Sequence, residues 1–481
     1  MKYLYSLLLV YTLFSQELDR FPIEGHSFSS FKTFGDTLVV STGKGIQYTK
    51  LSTFTSWKTL PYSASGFPVM MYKDSENGLW VSLATDSAIT IEETKIAGKG
   101  ILYKPSLNAD WVYFPQPMDE KSGYDETKIN VPVTTNITNI SYALTETIYN
   151  NERRLWIASF AGSLRYIQID SLENGWKLKT PNGHKLDVGR NDNIGYGQRA
   201  FALASDKHKL WVGTANGIFY SEDGGNNFVN ITSKNSGLSG NFITLLAHNN
   251  GRVLANARFA DGNDINALNE VSFNGFTSVS DLNWKQSFKN NWVYSLSFEN
   301  EFTLIGTASD GLFIKKEGID TYYQISEIKD SYTGERLSGT GVYASKLHIN
   351  GDKYTFYVGT GEGLARSVDF GKTWVVLKAK SIQKNTEDKA IAYPSPYSPM
   401  HSSKKMRFSF PLKNTGKVTV RIFNYAMEEL VSLQESFSHK GTASVVWDGK
   451  NRHGTYLTNG VYFFKVETPS SEFFNKFMVV N

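Results

Sequence analysis

The side chains best suited to bind a ligand are concentrated in segments rich in Asn, Asp and Arg. The candidate binding residues, all in predicted loops, are Arg190, Asp192, Asn193, Tyr196, Arg199, Asp261, Asp264 and Arg336. Carboxylate and amide oxygens are ligands that Ca²⁺ accepts, but the order Asp261, Asn263, Ile265 breaks the alternation that an EF-hand loop requires. Asx turns account for the same residues, so we expect neither a metal nor any other cofactor.

Residues for nucleophilic or metal catalysis are scarce. The chain has eight histidines, none spaced as a metal-binding pair, and no cysteine. Thiol catalysis, zinc ribbons and disulfide bonds are therefore excluded. We assign no catalytic residue, and the sequence favours a protein that is not an enzyme. A hydrolase with two catalytic carboxylates stays open, because such residues are partners in space that a single sequence does not pair.

Charge and composition describe a folded protein without an electrostatic partner. The 481 residues include 50 Lys and Arg and 46 Asp and Glu, a net charge of +4. This balance does not predict binding to nucleic acid. Apolar residues make up 40% of the chain and aromatic residues 14%, enough to offset chain entropy and exclude disorder.

The amino terminus is typical of an exported protein. Lys2 precedes an apolar run at residues 3–14, and small and polar residues follow. Such a run is too short to span a bilayer, and residues 1–15 are predicted to be a signal peptide. We expect a secreted protein, or one at the outer-membrane surface, without a transmembrane segment.

A strand–turn–strand pattern recurs seven times between residues 25 and 380. Its clearest copy is LWVGTANGIFYSEDGGNNFVNIT at residues 210–232, and one more alternating segment precedes each copy. Equivalent positions recur every ~53 residues, close to the ~40–50 of propeller blades. These positions are Leu38, Trp80, Trp156, Trp211, Leu254, Leu304 and Tyr357. A four-stranded sheet with two apolar faces must stack on others, so the pattern predicts an all-β fold with a seven-bladed β-propeller at residues 25–380. A pair of β-sandwiches is the alternative.

Two predicted loops share a Ser, an Asp and a Gly at fixed spacing. The residues are Ser221, Asp223 and Gly225 in one loop, and Ser367, Asp369 and Gly371, followed by Trp374, in the other. The second loop reads S-x-D-x-G-x-T-W and resembles the Asp-box of sialidase-type and sortilin-type propellers. The resemblance implies a structural role, since Ser and Asp can bond the loop backbone while Gly takes a positive φ. The arginine clamp that sialidases need is not evident. Sialidases have an early Arg-Ile-Pro segment, whereas this chain has Arg20-Phe21-Pro22-Ile23, in which the order differs. The strand–turn–strand segment at residues 210–218 also resembles the repeats of sensor-type regulator propellers, which are binding modules.

The connectivity of a propeller blade sorts the loops onto two faces. Loops between strands 1 and 2 and between strands 3 and 4 lie on one face, and 2–3 loops and blade connectors lie on the other. All five long insertions fall in the second group: residues 85–99, 116–138, 180–198, 259–268 and 325–341. We call this side the insertion face. A binding surface there is one interpretation, and simple tolerance of long loops is the other.

The chain changes character after residue 380. Residues 381–391 are polar and predict a linker, and residues 392–481 contain six or seven alternating segments that predict an Ig-like β-sandwich. YPSPYSP at residues 393–399 and VVWDGKNRHGTYLTNGVYFFKV at residues 445–466 resemble the C-terminal sorting domain of type IX secretion cargo and the related flagellar-hook-cap-type Ig-like module. Trp447, Asp448, Gly460 and Tyr462 are the predicted core and turn residues. Met427 stands where the family has a hairpin glycine.

These patterns together predict a monomeric, exported, two-domain protein. The propeller is expected to be a non-catalytic recognition module for a glycan or a protein on one face, and the resemblance implies that the C-terminal domain contacts type IX secretion machinery. Two alternatives are a propeller glycoside hydrolase with a sialidase-like scaffold and a structural subunit of the secretion or attachment machinery.

Overall fold

The computed structural model describes most of the chain. The described residues are 27–52, 54, 56–88, 94–119, 135–180, 199–259, 264–273, 278–331, 336–337, 341–378, 389–393, 395–399, 405–438 and 440–481. The predicted signal peptide at residues 1–15 lies outside them, as does most of the predicted linker.

Seven four-stranded antiparallel sheets follow one another along the chain, each an up-and-down meander. Blade 1 contains β1 (Ser30–Phe34), β2 (Thr37–Thr42), β3 (Gly45–Lys50) and β4 (Lys58–Thr59); blade 2 contains β5 (Phe67–Lys73), β6 (Leu79–Ala88), β7 (Thr94–Lys104) and β8 (Val112–Phe114). Blade 3 contains β9 (Ser141–Tyr149), β10 (Glu152–Ser159), β11 (Ser163–Gln168) and β12 (Lys177–Lys179); blade 4 contains β13 (Ala200–Asp206), β14 (Lys209–Thr214), β15 (Gly217–Ser221) and β16 (Val229–Ile231). Blade 5 contains β17 (Phe242–Asn249), β18 (Arg252–Arg258), β19 (Ala267–Ser272) and β20 (Lys285–Ser287); blade 6 contains β21 (Val293–Glu299), β22 (Phe302–Thr307), β23 (Leu312–Lys316) and β24 (Tyr323–Ile325). Blade 7 contains β25 (Val342–Asn350), β26 (Lys353–Thr360), β27 (Gly363–Ser367) and β28 (Val375–Lys378).

The predicted propeller is confirmed, and its repeat has a direct structural meaning. The seven equivalent positions all lie in the second strand of a blade and are at most 1% exposed. In three blades this residue is a tryptophan, and the ring of Trp80 stacks 3.9 Å from Tyr103 on the next strand. A large side chain buried in this way contributes about 1.5–3 kcal/mol, so the repeat marks where blades pack on each other.

The ring closes between blades 7 and 1 without exchange of a strand. Strand β1 contacts β25 as well as β5, and each of these two blades is formed by consecutive strands. A cluster of buried side chains joins them: Phe28, Phe31, Leu38, Val40, Leu51 and Phe54 from blade 1, and Ala344, Tyr357, Leu364 and Leu377 from blade 7. Apolar burial therefore closes the ring.

Two sheets form the C-terminal sandwich. One contains β29 (Ile391–Tyr393), β30 (Met406–Leu412) and β33 (Gly441–Trp447). The other contains β31 (Gly416–Phe423), β32 (Glu429–Phe437), β34 (Gly460–Glu467) and β35 (Glu472–Val479). The buried ring of Trp447 lies between Tyr397, Phe408 and Phe477, with centroids 5.9–6.2 Å away. Strand β29 begins at Ile391, inside the segment expected to be a linker.

Several local expectations need correction. The insertion at residues 85–99 is largely a hairpin, because β6 and β7 continue their pairing from Thr85 with Ala97 to Ala88 with Thr94. Asp448 and Gly460 are exposed and lie outside the core that Trp447 and Tyr462 help to form. Asp448 instead accepts a hydrogen bond from the Lys450 backbone N–H, 3.1 Å away, and this bond stabilises the turn after β33.

Helices are short in the described part of the chain. One α-helical turn covers Ser233–Ser236, and 3₁₀ turns cover Leu172–Asn174 and Val279–Asp281. Among the described residues, no helix is long and apolar enough to cross a membrane.

Candidate functional site

A β-bulge recurs near the start of the innermost strand in blades 2–7. Each bulge leaves one residue of the inner strand without a partner on the second strand; these residues are Val69, Tyr142, Phe201, Thr244, Tyr294 and Tyr343. Inner strands start at the insertion face, so the bulges surround that end of the central channel. A bulge redirects the extra side chain. Phe201, for example, is partly exposed between the buried Ala200 and Ala202.

The aromatic bulge residues and their neighbours form a curved group that we call the aromatic arc. It consists of Tyr142, Phe160, Phe201, Phe242, Trp292, Tyr294 and Tyr343, with Arg199 and Arg258. Phe201 is the centre of its first half, 6.1 Å from Tyr142, 5.8 Å from Phe160 and 4.8 Å from Phe242 between ring centroids. In its second half the rings of Tyr294 and Tyr343 stack at 5.0 Å with an interplanar angle of 11°. The arc thus extends from blade 3 to blade 7.

Two arginines join the aromatic groups. The Arg199 guanidinium lies over the Phe160 ring at 5.0 Å, and that of Arg258 over the Trp292 ring at 4.7 Å. Arg258 ends strand β18, so it bridges blade 5 to the residues that precede β21. A cation over a ring face gains about 0.5–2 kcal/mol, more when water is excluded. The arc therefore combines apolar ring faces with fixed hydrogen-bond donors.

The electrostatics of the arc follow from partial burial. Burial lowers the pKa of Arg258, and the neighbouring Tyr294 opposes that shift. Burial also raises the pKa of Tyr142 and of Tyr343. The neighbouring Tyr294 raises the pKa of Tyr343 further. At neutral pH both phenols are protonated and can donate a hydrogen bond, and Arg258 remains charged. Tyr343 is 41% exposed and Trp292 48% exposed, so a ligand can reach the rings.

The three predicted binding residues that the structure describes, Arg199, Asp264 and Arg336, lie in different places. Arg190, Asp192, Asn193, Tyr196 and Asp261 lie outside the described residues. Arg199 lies in the aromatic arc. The Asp264 carboxylate accepts a hydrogen bond from the backbone N–H of Asn241 at 3.1 Å, and so stabilises the connector between blades 4 and 5.

Arg336 contacts the C-terminal domain. Its guanidinium donates to Glu435 of β32 at 3.1 Å and pairs with Glu327 at 2.7 Å. Lys329 reaches the same Glu435 carboxylate at 2.9 Å. Nearby, the fully buried Arg407 of β30 pairs with Glu362, in the 2–3 loop of blade 7, at 3.4 Å. The sandwich therefore packs on the insertion face at blades 6 and 7, beside the end of the aromatic arc.

The two Ser–Asp–Gly loops have the same internal hydrogen bonds. Ser221 and Ser367 each donate to the Asp two residues later at 2.8 Å, and each accepts from the backbone of Gly225 or Gly371. Both loops join the third and fourth strands and lie opposite the insertion face. Gly225 has a φ of +88°, and a Cβ there would be 2.3 Å from the Trp156 ring of the preceding blade. These contacts are within and between blades, in keeping with the predicted structural role.

The arc was missed by reasoning from polar side chains, although the sequence carries a signal for it. Four inner strands begin with the same pattern, in which an aromatic residue follows a small or β-branched residue and precedes a small one. The four segments are Ser141-Tyr142-Ala143, Ala200-Phe201-Ala202, Val293-Tyr294-Ser295 and Val342-Tyr343-Ala344. Simple alternation interprets each aromatic as a core residue. Only the bulge turns it toward the channel.

Comparisons with known proteins bear on the two domains separately. A family model described as FlgD Ig-like domain matches residues 400–472, which confirms the predicted flagellar-hook-cap-type module. No curated protein matches the chain significantly.

Solved structures similar to the chain include several propellers. PorZ, an essential bacterial surface component of the type-IX secretion system of Porphyromonas gingivalis, is 13% identical, with a TM-score of 0.36 over 93% of this chain and 64% of PorZ. The chain thus spans less than two thirds of the length of PorZ. The extracellular domain of the one-component system BT4673 from B. thetaiotaomicron is 14% identical, with a TM-score of 0.30 over 94% of this chain and 69% of that one. The Cps50 (Swd1) β-propeller domain of Myceliophteria thermophila is 12% identical, with a TM-score of 0.45 over 70% of this chain and 94% of that one.

Proposed function

We propose that this protein is a non-catalytic recognition module of the cell exterior that binds a glycan at the aromatic arc. The observation that carries the proposal is the arc itself, in which bulges in blades 3, 4, 6 and 7 present aromatic rings at one end of the channel. A propeller does not need these bulges to close, and blade 1 pairs β1 with β2 without one.

The chemistry of the arc suits a carbohydrate. Sugar rings have C–H faces that pack on aromatic rings and hydroxyl edges that need hydrogen-bond partners. The arc offers both, with the stacked Tyr294 and Tyr343 beside phenol and guanidinium donors. Its curvature around a channel mouth favours a small or oligomeric ligand, since such ligands bind in concave sites. A folded protein partner is the competing ligand class.

Three described carboxylates of the insertion face already bind a protein group, which favours binding over hydrolysis. Asp119 pairs with the buried Arg165 at 2.8 Å, Asp264 caps a backbone N–H, and Glu362 pairs with Arg407. A glycosidase instead needs two carboxylates free to face the substrate, one of them with a raised pKa.

Export forms the second half of the proposal. The match of residues 400–472 to an Ig-like family and the resemblance of residues 393–399 and 445–466 to sorting domains support a role for the C-terminal sandwich in type IX secretion. The predicted signal peptide would supply the first step, passage across the inner membrane.

A glycan array with the full chain tests the binding role. We expect a set of related glycans to bind, and Phe201→Ala to lower their affinity at least about tenfold, or about 1.4 kcal/mol. Tyr425→Ala is the control, since Tyr425 is 82% exposed on the sandwich. Equal affinities of the two variants would contradict the proposed site. Release of reducing ends from the bound glycans would instead identify a hydrolase, and an array without hits together with capture of one protein would identify a protein-binding propeller.

Fractionation of a bacterium that has type IX machinery tests export. A chain truncated after residue 389 should remain in the periplasm while the full chain reaches the surface or the medium. Unchanged delivery of the truncated chain would exclude the sorting role and leave the binding role intact.

A further inference from the structure

Four inner strands place charged side chains around one level of the central channel. They are Lys32 of β1, Lys73 of β5, Glu299 of β21 and Lys346 of β25. These positions lie farther along their strands than the bulges, toward the face opposite the aromatic arc. Lys32 in blade 1 interacts electrostatically with Glu299 in blade 6, and Lys73 in blade 2 with Lys346 in blade 7. One blade separates the members of each pair, so these side chains meet in the channel.

The charges in this group do not balance. Lys346 binds both oxygens of Glu299, at 2.7 and 2.8 Å. Lys73 donates to the carbonyl oxygen of Thr33 at 3.1 Å, which satisfies one of its three N–H bonds without neutralising it. Among the described residues, no hydrogen bond or ion pair neutralises the Lys32 ammonium, and Glu299 is the carboxylate in its surroundings. Lys73 also interacts with Asp74, a buried carboxylate that already accepts a hydrogen bond from the Trp80 indole at 2.9 Å and lies 3.7 Å from Arg153. The three ammonium groups thus outnumber the carboxylates near them.

We propose that the channel contains a binding site for a tetrahedral oxyanion, sulfate or phosphate, between Lys32, Lys73 and Lys346. A partly buried ammonium without a counterion is unfavourable unless an anion pairs with it. After their contacts with protein, the three lysines still have several N–H donors to offer. Lys32 lies between the other two lysines around the ring, and it is the group most dependent on the anion.

The titration of Lys32 supplies a second prediction. Burial, together with the neighbouring Lys346 and Lys73 and opposed by Glu299, lowers the pKa of Lys32 to about 8. Below pH 8 the site keeps the Lys32 charge, and above pH 8 the charge is lost. Burial and Lys346 also lower the pKa of His348, which Asp36 opposes, so His348 is neutral over this range. Affinity for the anion should therefore fall as pH rises through 8.

Calorimetric titration of the full chain with sodium sulfate, against sodium chloride at equal ionic strength, tests the site. Sulfate keeps the same charge between pH 7 and 9.5, so any change with pH belongs to the protein. We expect binding at pH 7, at least tenfold weaker binding at pH 9.5, and no binding for Lys32→Met. Lys44→Met removes an exposed lysine of the same blade and should bind as the wild type does. In Lys32→Arg most of the pH dependence should disappear, because a guanidinium does not titrate there. The remainder belongs to Lys73, whose pKa burial and Lys346 also lower.

Two results would overturn the site: no sulfate binding at pH 7, or equal affinities for the Lys32→Met and Lys44→Met variants. A Lys32→Met chain that fails to fold would leave Lys32→Arg to decide, since loss of most of the pH dependence in that variant supports the site and its full persistence contradicts it. None of these outcomes depends on the aromatic arc.

Discussion

The rings of Tyr294 and Tyr343 stack 5.0 Å apart, although the two residues belong to different blades. Each is the extra residue of a bulge in its inner strand. Two neighbouring blades therefore repeat the same irregularity, and its result is a continuous aromatic surface at the channel mouth.

Tyr343→Ala should lower glycan affinity at least about tenfold and leave the free energy of unfolding unchanged within about 0.5 kcal/mol. The reason is that Tyr343 is 41% exposed and packs mainly on Tyr294. Tyr343→Phe keeps the stack and should retain most of the affinity. Titration of the array-positive glycan and urea unfolding measure the two quantities. A stability loss as large as the affinity loss would indicate a core role instead.

Asp369→Ala should lower the free energy of unfolding by about 1–3 kcal/mol at pH 7. Partial burial opposes ionisation of Asp369, but hydrogen bonds from Thr373 and Ser367 outweigh it and lower its pKa. A carboxyl group with a lowered pKa stabilises the fold above its unfolded pKa of about 3.9, and this stabilisation is lost as pH falls through the folded value. The difference between wild type and variant should therefore shrink below pH 4 in urea titrations. Asp352→Ala, at an exposed position of the same blade, should show no such difference.

Gly449→Ala should destabilise the sandwich more than Gly454→Ala. Both glycines have a positive φ, +89° and +78°, which costs an alanine about 1 kcal/mol at each site. A Cβ at Gly449 would also approach Pro399 to 2.4 Å, whereas one at Gly454 meets nothing within 4 Å. Overpacking adds about 1–3 kcal/mol at Gly449 alone. Thermal unfolding of the two variants compares them, and equal midpoints would show that residues 395–399 yield without cost.

Met427→Gly should raise the free energy of unfolding of the sandwich by about 0.5–1 kcal/mol. Met427 has a φ of +62°, as its place in a glycine position of the hairpin suggested, and half of its side chain is exposed. Lys413→Gly, at an exposed position without a positive φ, should lower stability instead. Chemical denaturation of both variants distinguishes relief of strain from a general effect of glycine.

Glu435→Ala should loosen the contact between sandwich and propeller. The change leaves Lys329 and Arg336 facing each other without the carboxylate that both now bind at 2.9 and 3.1 Å. Small-angle scattering should show a larger maximum dimension for the variant. Glu428→Ala, exposed in the same domain, should keep the wild-type profile, and an unchanged profile for both variants would mean that apolar contacts hold the domains.

The local sequence pattern was sufficient to predict the propeller blades. The residues equivalent to Trp156 and Trp211 repeat because each second strand must bury a large side chain against a neighbour, and strand alternation places them without any long-range information. The Ser–Asp–Gly loops and the Met427 turn are likewise local, since their hydrogen bonds and φ values depend on a few consecutive residues.

The aromatic arc, the lysine group in the channel and the contact between the domains could be located only in the folded ring. A bulge adds one residue to a strand and reverses which side chains face the core, so alternation alone places Phe201 and Tyr343 inside. Lys32, Lys73 and Lys346 are far apart in sequence, and they converge only because ring closure brings blades 7, 1 and 2 around one channel. Arg336 likewise acquires its partner Glu435 only when the sandwich packs on the propeller. Charge pairing across such distances is a property of the three-dimensional arrangement, and no spacing along the chain encodes it.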